Sequence, residues 1–394
     1  MDPLAVLFAM CWVLFFPALW VMARFYPRVP GRVLFWTNQG FCVAPSRARS
    51  YFVCREMQRL GVDAEVLSFW EHLLGYKGLL PLNITLGQRT ILIFRAMLAA
   101  VHSRAETIVA QAPLYDIISL VYLRFLYPRA LRIWIDLDDW LFDVSMDGSG
   151  STVTLRDTLP LQKIAATGVI VSSLPLETEM RKHFRRVEIM PTYPDAAMFR
   201  PDADAAMGRP DEKVIFSWTG TFLMKHVVSD IVFLARALNS LKSDKVIFHV
   251  VGDGHHIEEA REQVALVADR VDVRFLGWMD PERMPEYLNS IDVGLYCLRT
   301  IDNFAASKSP TKLFEYMACA KPTVSTNFGE ARRFIDHGVT GFLAADLTEF
   351  AGCCSQLATD PKLRAAMGKN ARKAIEQQHN ISAGAERLKS ILRL

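Results

Sequence analysis

The sequence predicts an α/β protein with two Rossmann-like domains facing a cleft, preceded by an N-terminal transmembrane or membrane-anchoring helix. Short apolar runs alternate with helical segments along most of the chain, which is typical of parallel sheets with helical crossovers. One segment dense in Pro and Asp interrupts this alternation, and an uncharged stretch opens the chain. With 394 residues, 51% hydrophobic and 22% charged, the chain is long enough for two globular domains.

The N-terminal stretch Leu4 to Met22 contains no charged residue. At about 1.5 Å per residue its length approaches the roughly 30 Å of a bilayer core. It lacks a preceding basic region and a following small-residue cleavage site, which favours an anchor over a signal peptide. Arg24, Arg28 and Arg32 follow it, so we expect a single pass through the inner (plasma) membrane with the C-terminal body of the chain in the cytoplasm. The alternative is an interfacial or core-packed helix.

Charge and cysteine content exclude several classes of protein. The net charge of +3 is small and no nucleic-acid-binding motif is present, so we expect no nucleic-acid partner. The seven cysteines form no C-x-x-C pair and no cluster with zinc spacing. They are therefore interpreted as free thiols in a reducing compartment.

Residues 31–200 are predicted to form the first domain, after an anchor and linker at 1–30. The predicted strands are 32–37, 62–69, 107–111, 131–137, 168–172 and 187–190. The predicted helices are 46–60, 116–127, 155–166 and 177–184. The Gly-rich stretch Met146 to Ser151 is interpreted as a mobile surface loop.

Residues 201–394 are predicted to form the second domain, reached through the Pro- and Asp-rich stretch from Pro191 to Asp211. The predicted strands are 213–217, 246–251, 271–276, 292–296 and 323–326. The predicted helices are 229–241, 257–268, 281–289, 312–319, 347–359, 361–376 and 383–394. Ligands of such sheets bind beyond the carboxyl ends of the strands, which gives the expected position of a site in each domain.

Several motifs of the second half occur in the order found in glycosyltransferase family 4. The matching segments are Ser217–Lys225, Val250–Gly254, Phe275–Trp278, Met284–Leu288, Ile291–Leu295, Lys308–Pro322 and Gly338–Phe342. The chain from about residue 31 to 390 resembles this family, which implies the GT-B fold, a retaining mechanism and a nucleotide-diphosphate sugar as donor. Members usually need no cofactor and no divalent ion, so we expect no metal site.

The segment around the predicted helix at 312 is the main candidate for donor binding. Unpaired N–H groups at a helix start and the positive end of the helix dipole suit a diphosphate. Ser as cap and Pro at the first helical position fit such a start. Here the resemblance implies donor contacts from Lys308, Ser309, Pro310, Thr311, Lys312 and Leu313.

The resemblance also implies two catalytic residues in this half. Lys225, which follows Gly220 and Thr221, would stabilise the leaving diphosphate, because lysine is a compact charge suited to a phosphate oxygen. Glu315 would accept hydrogen bonds from the ribose hydroxyls. Gly252 and Gly254 form a strand-to-helix turn that is also assigned to the donor site, although such glycines often only make the turn.

Two positions depart from the family pattern. Ser307 stands where many members carry a glutamate that contacts the transferred sugar, and Asp302, Asn303 or Lys308 are possible substitutes. Thr221 stands where an arginine is frequent, and Lys308, Lys312 or Arg47 are possible sources of the missing charge. These departures leave the identity of the sugar open.

The first half is expected to bind the acceptor. Gly40 ends the first strand and Arg47 follows in the first helix, where it meets an acceptor phosphate or serves as an ordinary surface charge. Asp138 and Asp139 follow the fourth predicted strand and are assigned as catalytic, because clustered carboxylates at strand ends raise one another's pKa. A metal site is the competing interpretation.

Together these features predict a retaining glycosyltransferase that moves a sugar from a UDP- or GDP-sugar to a membrane-associated acceptor. The acceptor would be a lipid-linked or glycan acceptor in polysaccharide, lipopolysaccharide or glycolipid biosynthesis. Two alternatives stay open: a nucleotide-sugar epimerase, and a non-catalytic transferase-like scaffold of a polysaccharide assembly complex.

Overall fold

A computed structural model describes residues 3–78, 84–143, 153–202, 213–241, 243 and 245–394. It divides into two compact units. Unit 1 comprises Met1–Thr192 and Ile381–Leu394, and unit 2 comprises Tyr193–Asn380. The loop predicted at Met146 to Ser151 and much of the predicted linker lie outside the described residues.

Unit 1 is built on one six-stranded parallel sheet with the order β2-β1-β3-β4-β5-β6. Its strands are β1 (Val29–Thr37), β2 (Ala64–Ser68), β3 (Ala105–Gln111), β4 (Arg132–Leu137), β5 (Gly168–Val171) and β6 (Val187–Ile189). Its helices are α1 (Pro3–Leu14), α2 (Phe16–Phe25), α3 (Ala44–Ser46), α4 (Phe52–Arg59), α5 (Leu86–Ser103), α6 (Ile117–Leu126), α7 (Leu155–Ala165), α8 (Leu174–Met180) and α16 (Ile381–Leu392). Two π-helical turns, Arg47–Tyr51 and Phe69–Leu73, follow β1 and β2.

Unit 2 repeats this plan with a second six-stranded parallel sheet, in the order β12-β11-β10-β7-β8-β9. Its strands are β7 (Val214–Thr219), β8 (Val246–Val251), β9 (Asp272–Gly277), β10 (Val293–Tyr296), β11 (Thr323–Thr326) and β12 (Gly341–Ala344). Its helices are α9 (His226–Asn239), α10 (Ile257–Ala265), α11 (Met284–Ser290), α12 (Asn303–Ser307), α13 (Thr311–Ala318), α14 (Leu347–Thr359) and α15 (Pro361–Gln378). The predicted α/β class with two parallel sheets is confirmed.

The division of the chain differs from the sequence-based one at both ends of unit 2. The boundary predicted after residue 200 lies after Thr192, and α16, assigned by sequence to the second domain, belongs to unit 1. Leu388 of α16 is buried in unit 1. Arg132 and Arg186 donate to the carbonyls of Leu392 and Ile391, which satisfies acceptors at the end of α16 that have no partner within the helix.

The N-terminal apolar stretch forms two short helices rather than one straight span. Among the described residues, no individual helix has both the length and the hydropathy to cross a bilayer, although α1 from Val6 and α2 meet that criterion as a pair bent by 55°. Pro17 explains the break, because its ring lacks an N–H and clashes with the carbonyl one turn earlier.

The α13 helix lies close against β10, and Gly294 makes this approach possible. A Cβ at Gly294 would lie 2.3 Å from the ring of Tyr316, which is fully buried. The hydroxyl of Tyr316 in turn accepts the N–H of Thr219 at 2.9 Å, at the end of β7. This packing fixes the start of α13 beside the carboxyl ends of the central strands.

We expect Gly294→Ala to lower the free energy of unfolding by about 2 kcal/mol, the usual scale of overpacking in a core. Denaturant unfolding measures the loss. Gly352→Ala is the matched control, because a Cβ at this helical glycine meets nothing within 4 Å. Alanine there is expected to stabilise α14 by about 0.5–1 kcal/mol. Equal effects of the two substitutions would contradict the proposed contact.

Candidate functional site

The loops that follow β7 and β8 cross at three glycines. A Cβ at Gly252, where φ is +143°, would lie 1.8 Å from the carbonyl oxygen of Gly220, and one at Gly254 would meet Phe222. The N–H of Gly220 donates to Val251 O at 2.9 Å. Gly252 and Gly254 thus have a steric role in bringing the two loops together, which accounts for both without a ligand.

The α13 helix begins at Thr311, and Pro310 occupies its cap position without a side-chain hydrogen bond. The sequence predicted Ser309 as the cap and Pro310 inside the helix, so the structure shifts this start by one residue. Thr311 N donates to Ser309 O at 3.0 Å. Leu313 is fully buried, which gives this predicted donor residue a core position. The start of α13 retains the positive end of the helix dipole.

Lys312 lies against Gly220. Its Nζ is 4.2 Å from the centroid of the Trp218 ring and would be 2.7 Å from a Cβ on Gly220. Burial lowers the pKa of Lys312 to about 7, and Lys308 lowers it further, while Asp230 and Glu315 act in the opposite direction. Lys312 is therefore a half-buried cation at the carboxyl end of β7, and it supplies positive charge next to Thr221.

Glu315 follows Lys312 by one turn of α13. Its side chain is buried, and its charge raises the pKa of Lys312. Since residues three apart share one face of a helix, the two side chains emerge on the same side of α13. The side chains of Lys312 and Glu315 thus place a cation and a carboxylate next to the start of this helix.

Lys225 stands at the start of α9, as the sequence predicted, but its side chain is 77% exposed and its Nζ lies 3.8 Å from Glu259 Oε1. Lys225 is thus a surface lysine that faces a surface glutamate. Its geometry gives less support to a role at the diphosphate than that of Lys312.

The residues around Ser307 have defined local partners. Ser307 is buried and its hydroxyl donates to Asn303 O at 2.7 Å, within α12. Asp302 caps the same helix by accepting the N–H of Ala305 at 2.7 Å. Lys308 Nζ lies 4.7 Å from the centroid of the Phe304 ring. These are the three possible substitutes for the missing glutamate. Asp302 is engaged as a helix cap, Asn303 is exposed, and Lys308 lies over the Phe304 ring.

Asp230 on α9 is a site residue that sequence analysis missed. It is 3% exposed and accepts the N–H of Arg299 at 3.0 Å. Burial raises its pKa to about 7, whereas Arg299 N–H and Lys312 lower it. The signal was available, because Asp230 interrupts the apolar stripe of its helix between Val228 and Ile231.

In unit 1, buried polar groups gather at the carboxyl end of β4. Arg49 forms a bidentate ion pair with Asp136, with Nε 2.8 Å from Oδ2, and donates to Met190 O at 3.0 Å. Burial and the neighbouring Asp139 raise the pKa of Asp138 to about 7, while Arg49 lowers it. Arg49 therefore neutralises the buried carboxylate of Asp136.

Arg47 and Gly40 serve the loop after β1. Arg47 is 5% exposed and its Nη1 lies 3.5 and 3.4 Å from the carbonyl oxygens of Phe41 and Cys42. A Cβ at Gly40 would lie 3.2 Å from Glu71 Oε2. This buried position contradicts the surface-charge alternative for Arg47, and the acceptor contact stays a prediction.

Sequence analysis also missed two carboxylates beside this loop, the buried Asp116 and the half-buried Glu71. Asp116 accepts Trp36 Nε1 at 2.5 Å and Asn38 Nδ2 at 3.0 Å, and burial raises its pKa to about 6. Glu71 accepts the hydroxyl of Tyr51 at 2.6 Å and the N–H of Phe41 at 3.1 Å. Within the described ranges, no group of three or more His, Cys, Asp or Glu side chains is arranged to hold a metal ion.

Comparisons with known proteins agree with this architecture. Residues 213–360 match the family model described as glycosyl transferases group 1. HepE of Anabaena, solved in complex with UDP-glucose, is 18% identical, with a TM-score of 0.67 over 92% of this chain and 99% of that one. Sucrose-phosphate synthase of Thermosynechococcus elongatus is 16% identical, with a TM-score of 0.65 over 92% and 98%.

The lipopolysaccharide outer core galactosyltransferase WaaB is 14% identical, with a TM-score of 0.59 over 92% of this chain and 99% of that one. No curated protein sequence matches the chain at a significant level. At these identities the solved structures establish the GT-B fold. The family match lies within unit 2, so this unit carries a glycosyltransferase domain and the chain is a glycosyltransferase.

Proposed function

We propose that the protein is a retaining transferase of family 4 that moves a sugar from a UDP-sugar, or alternatively a GDP-sugar, to a membrane-associated acceptor. The observation that carries the proposal is the position of Lys312 against Gly220, beside a helix start without a side-chain cap and one turn before Glu315. HepE, solved with UDP and with UDP-glucose, supports a uridine nucleotide as the first donor to test.

In this proposal the donor diphosphate binds to the start of α13 and to the ammonium of Lys312. Both groups act through charge, and their effect increases where water is excluded. Amides of the first turn of α13 would donate to the diphosphate along the helix axis. Lys225 is a second, more exposed cation that would approach the diphosphate from the surface.

During transfer the bond between the anomeric carbon and the diphosphate oxygen breaks, and negative charge accumulates on the leaving diphosphate. The acceptor hydroxyl forms the new bond on the same face of the sugar, and its proton passes to the leaving diphosphate. Lys312 stabilises the charge that develops, which is the way such fixed cations accelerate group transfer. No cofactor takes part in this scheme.

The acceptor is assigned to unit 1, where Asp138 and Asp139 follow β4. A carboxyl group with a pKa near 7 accepts a hydrogen bond from a sugar hydroxyl when ionised and donates one when protonated. The proposed acceptor is a lipid-linked or glycan acceptor of polysaccharide, lipopolysaccharide or glycolipid assembly. Attachment to the inner (plasma) membrane, with the catalytic body in the cytoplasm, belongs to the same proposal.

Two measurements test the proposal. Thermal unfolding with UDP, GDP and ADP is expected to show stabilisation by one of them, because a ligand of the native state raises the melting temperature. The matching nucleotide sugars are then incubated with membrane lipid extracts. Absence of nucleotide binding together with absence of sugar transfer would contradict the proposal.

Glu315→Gln is expected to weaken UDP binding roughly 10- to 100-fold, because a hydrogen bond to a charged group contributes about 1.5–3 kcal/mol. Calorimetry measures the affinity. The loss should vanish for a UDP analogue without ribose hydroxyls, since that ligand never makes the contact. Glu259→Gln, at the surface glutamate near Lys225, is the matched control. An equal loss with the analogue would argue against ribose recognition.

A further inference from the structure

The outward side of the α1–α2 pair is almost entirely apolar. Of the eleven exposed side chains between residues 6 and 25, ten are apolar and Arg24 is the only charged one. We define the apolar face by its large members: Trp12, Val13, Leu14, Trp20, Val21 and Phe25. Their exposed fractions run from 44% to 77%. A patch of contiguous large apolar side chains is rare on a protein that meets only water.

The apolar face continues onto the helices beneath it. Leu86 and Ile91 of α5 and Phe125 of α6 are also exposed large apolar side chains. The Trp12 ring centroid lies 6.2 Å from that of Phe125, so the two surfaces adjoin. The patch therefore extends from α1 onto α6, and α5 carries further exposed apolar side chains.

These four helices carry positive charges only. Their sequences contain no Asp or Glu, and their charged side chains are Arg24, Arg89, Arg95 and Arg124. Arg24 and Arg95 are exposed, and Arg24 stacks over the Trp20 ring at 3.7 Å. A large apolar face with Arg24 at its edge, on helices that contain no Asp or Glu, is complementary to an anionic lipid bilayer.

The inward side of the pair is part of the folded unit. Leu7, Cys11 and Leu19 are at most 1% exposed. Phe15 stacks on Phe94 of α5 with ring centroids 4.2 Å apart, and the hydroxyl of Tyr122 donates to the carbonyl of Phe8. These contacts tie both helices to α5 and α6, so removing the pair would expose the core of unit 1.

The length of each helix decides between crossing the bilayer and lying in one leaflet. At about 1.5 Å per residue, α1 is roughly 18 Å long and α2 roughly 15 Å, against a hydrocarbon core of about 30 Å. A crossing would require straightening the 55° bend and withdrawing the buried side chains. We propose that the apolar face docks on an anionic bilayer and inserts into the near leaflet without crossing it.

Co-sedimentation with vesicles tests this proposal in the absence of any donor, so its outcome is independent of sugar transfer. The full chain is expected to bind vesicles of phosphatidylcholine mixed with phosphatidylglycerol more tightly than phosphatidylcholine alone, and added salt should weaken binding. Val13→Asp combined with Phe25→Asp should reduce binding at least about tenfold, because each places a charge in lipid.

Leu266→Asp is the matched control, because Leu266 is an 85% exposed leucine in unit 2, far along the chain from this face. This variant should bind as the unchanged chain does. Circular dichroism confirms that each variant is folded. Failure of the unchanged chain to bind, or undiminished binding by the double variant, would overturn the proposal.

An N-terminal epitope tag tests the depth of insertion. When the tagged chain is added to preformed vesicles, docking in one leaflet leaves the tag open to added protease. A tag that is protected while both units are digested would mean that the pair crosses the bilayer, and the one-leaflet proposal would be wrong.

Discussion

Lys312→Met is expected to reduce sugar transfer about 10²- to 10³-fold, the range seen when one preorganised group that stabilises a developing charge is removed. Methionine keeps the length of the side chain and its packing on Trp218, so the folded structure should persist. Initial rates with a saturating UDP-sugar measure the effect, and the melting temperature without ligand checks the fold.

Lys225→Met is the comparison that decides which lysine matters more. Because Lys225 is largely exposed and screened by water, its removal is expected to reduce the rate less than that of Lys312. If Lys225→Met were the more damaging of the two, the diphosphate would be held at the surface of α9 and the role of Lys312 would be structural.

The lowered pKa of Lys312 predicts that UDP affinity depends on pH. Its pKa falls from 10.5 to about 7, so above pH 7 the free protein must take up a proton to present an ammonium to the diphosphate. UDP affinity should therefore fall as the pH rises from 7 to 9, and this fall should be absent in Lys312→Met. The free energy of unfolding of the unliganded protein should change in the opposite direction. Between pH 7 and 10.5 this lysine is protonated in the unfolded chain but not in the folded one, so stability rises with pH across that window.

Arg49→Met is expected to lower the free energy of unfolding of unit 1 by about 3–5 kcal/mol. It leaves the carboxylate of Asp136 buried without its partner, which is the costly way to break a buried ion pair. Hydrogen exchange measured by mass spectrometry separates the units: protection of β4 should fall while that of β8 stays unchanged.

Two further variants test whether the loss in Arg49→Met comes from the unpaired carboxylate of Asp136. Arg49→Met combined with Asp136→Leu should recover much of the loss, since replacing both charges by apolar groups removes the unpaired carboxylate. Arg156→Ala breaks an ion pair with Asp143 in which both side chains are exposed, and should change stability by about 0–1 kcal/mol. A similar loss in Arg49→Met and Arg156→Ala would contradict the buried pairing.

The alternation of apolar runs and helical segments was sufficient to predict the class of fold. β8, β11 and α14 have the bounds that the sequence predicted. Parallel strands are buried on both faces and therefore appear as short apolar runs that are easy to recognise. The bounds of α13 were predicted to within one residue, because a strong motif and a helix start coincide there.

Elements whose pattern is less distinct were missed. The α5 helix is long, but Leu86–Ser103 combines an apolar inner side with an exposed Ile91, which blurs its periodicity. α12, which was also missed, is a single turn and too short to show a helical period. The π-helical turn at Arg47–Tyr51 was predicted as part of one continuous helix, because the distinction depends on hydrogen bonds that a sequence does not reveal.

At the site, residue types were easier to predict than their environments. Lys312 and Glu315 follow from a motif, but the contact of Lys312 with Trp218 and Gly220 joins residues far apart in the chain. Arg47 was predicted as an acceptor contact or a surface charge, and its burial, which contradicts only the surface charge, is not apparent from the sequence. Asp116 and Asp230 acquire their raised pKa values from tertiary burial alone.

The return of α16 to unit 1 constrains how the protein is made. The N-terminal portion of unit 1 emerges from the ribosome first, yet α16 is translated last, after the whole of unit 2. At about 5–20 residues per second, that interval lasts roughly 10 to 40 s. During this interval the surface of α4 that contacts α16 stays uncovered, and Glu56 lacks the hydrogen bond that Ser382 later donates. A nascent chain stalled before Ile381 would therefore be a natural client for a chaperone.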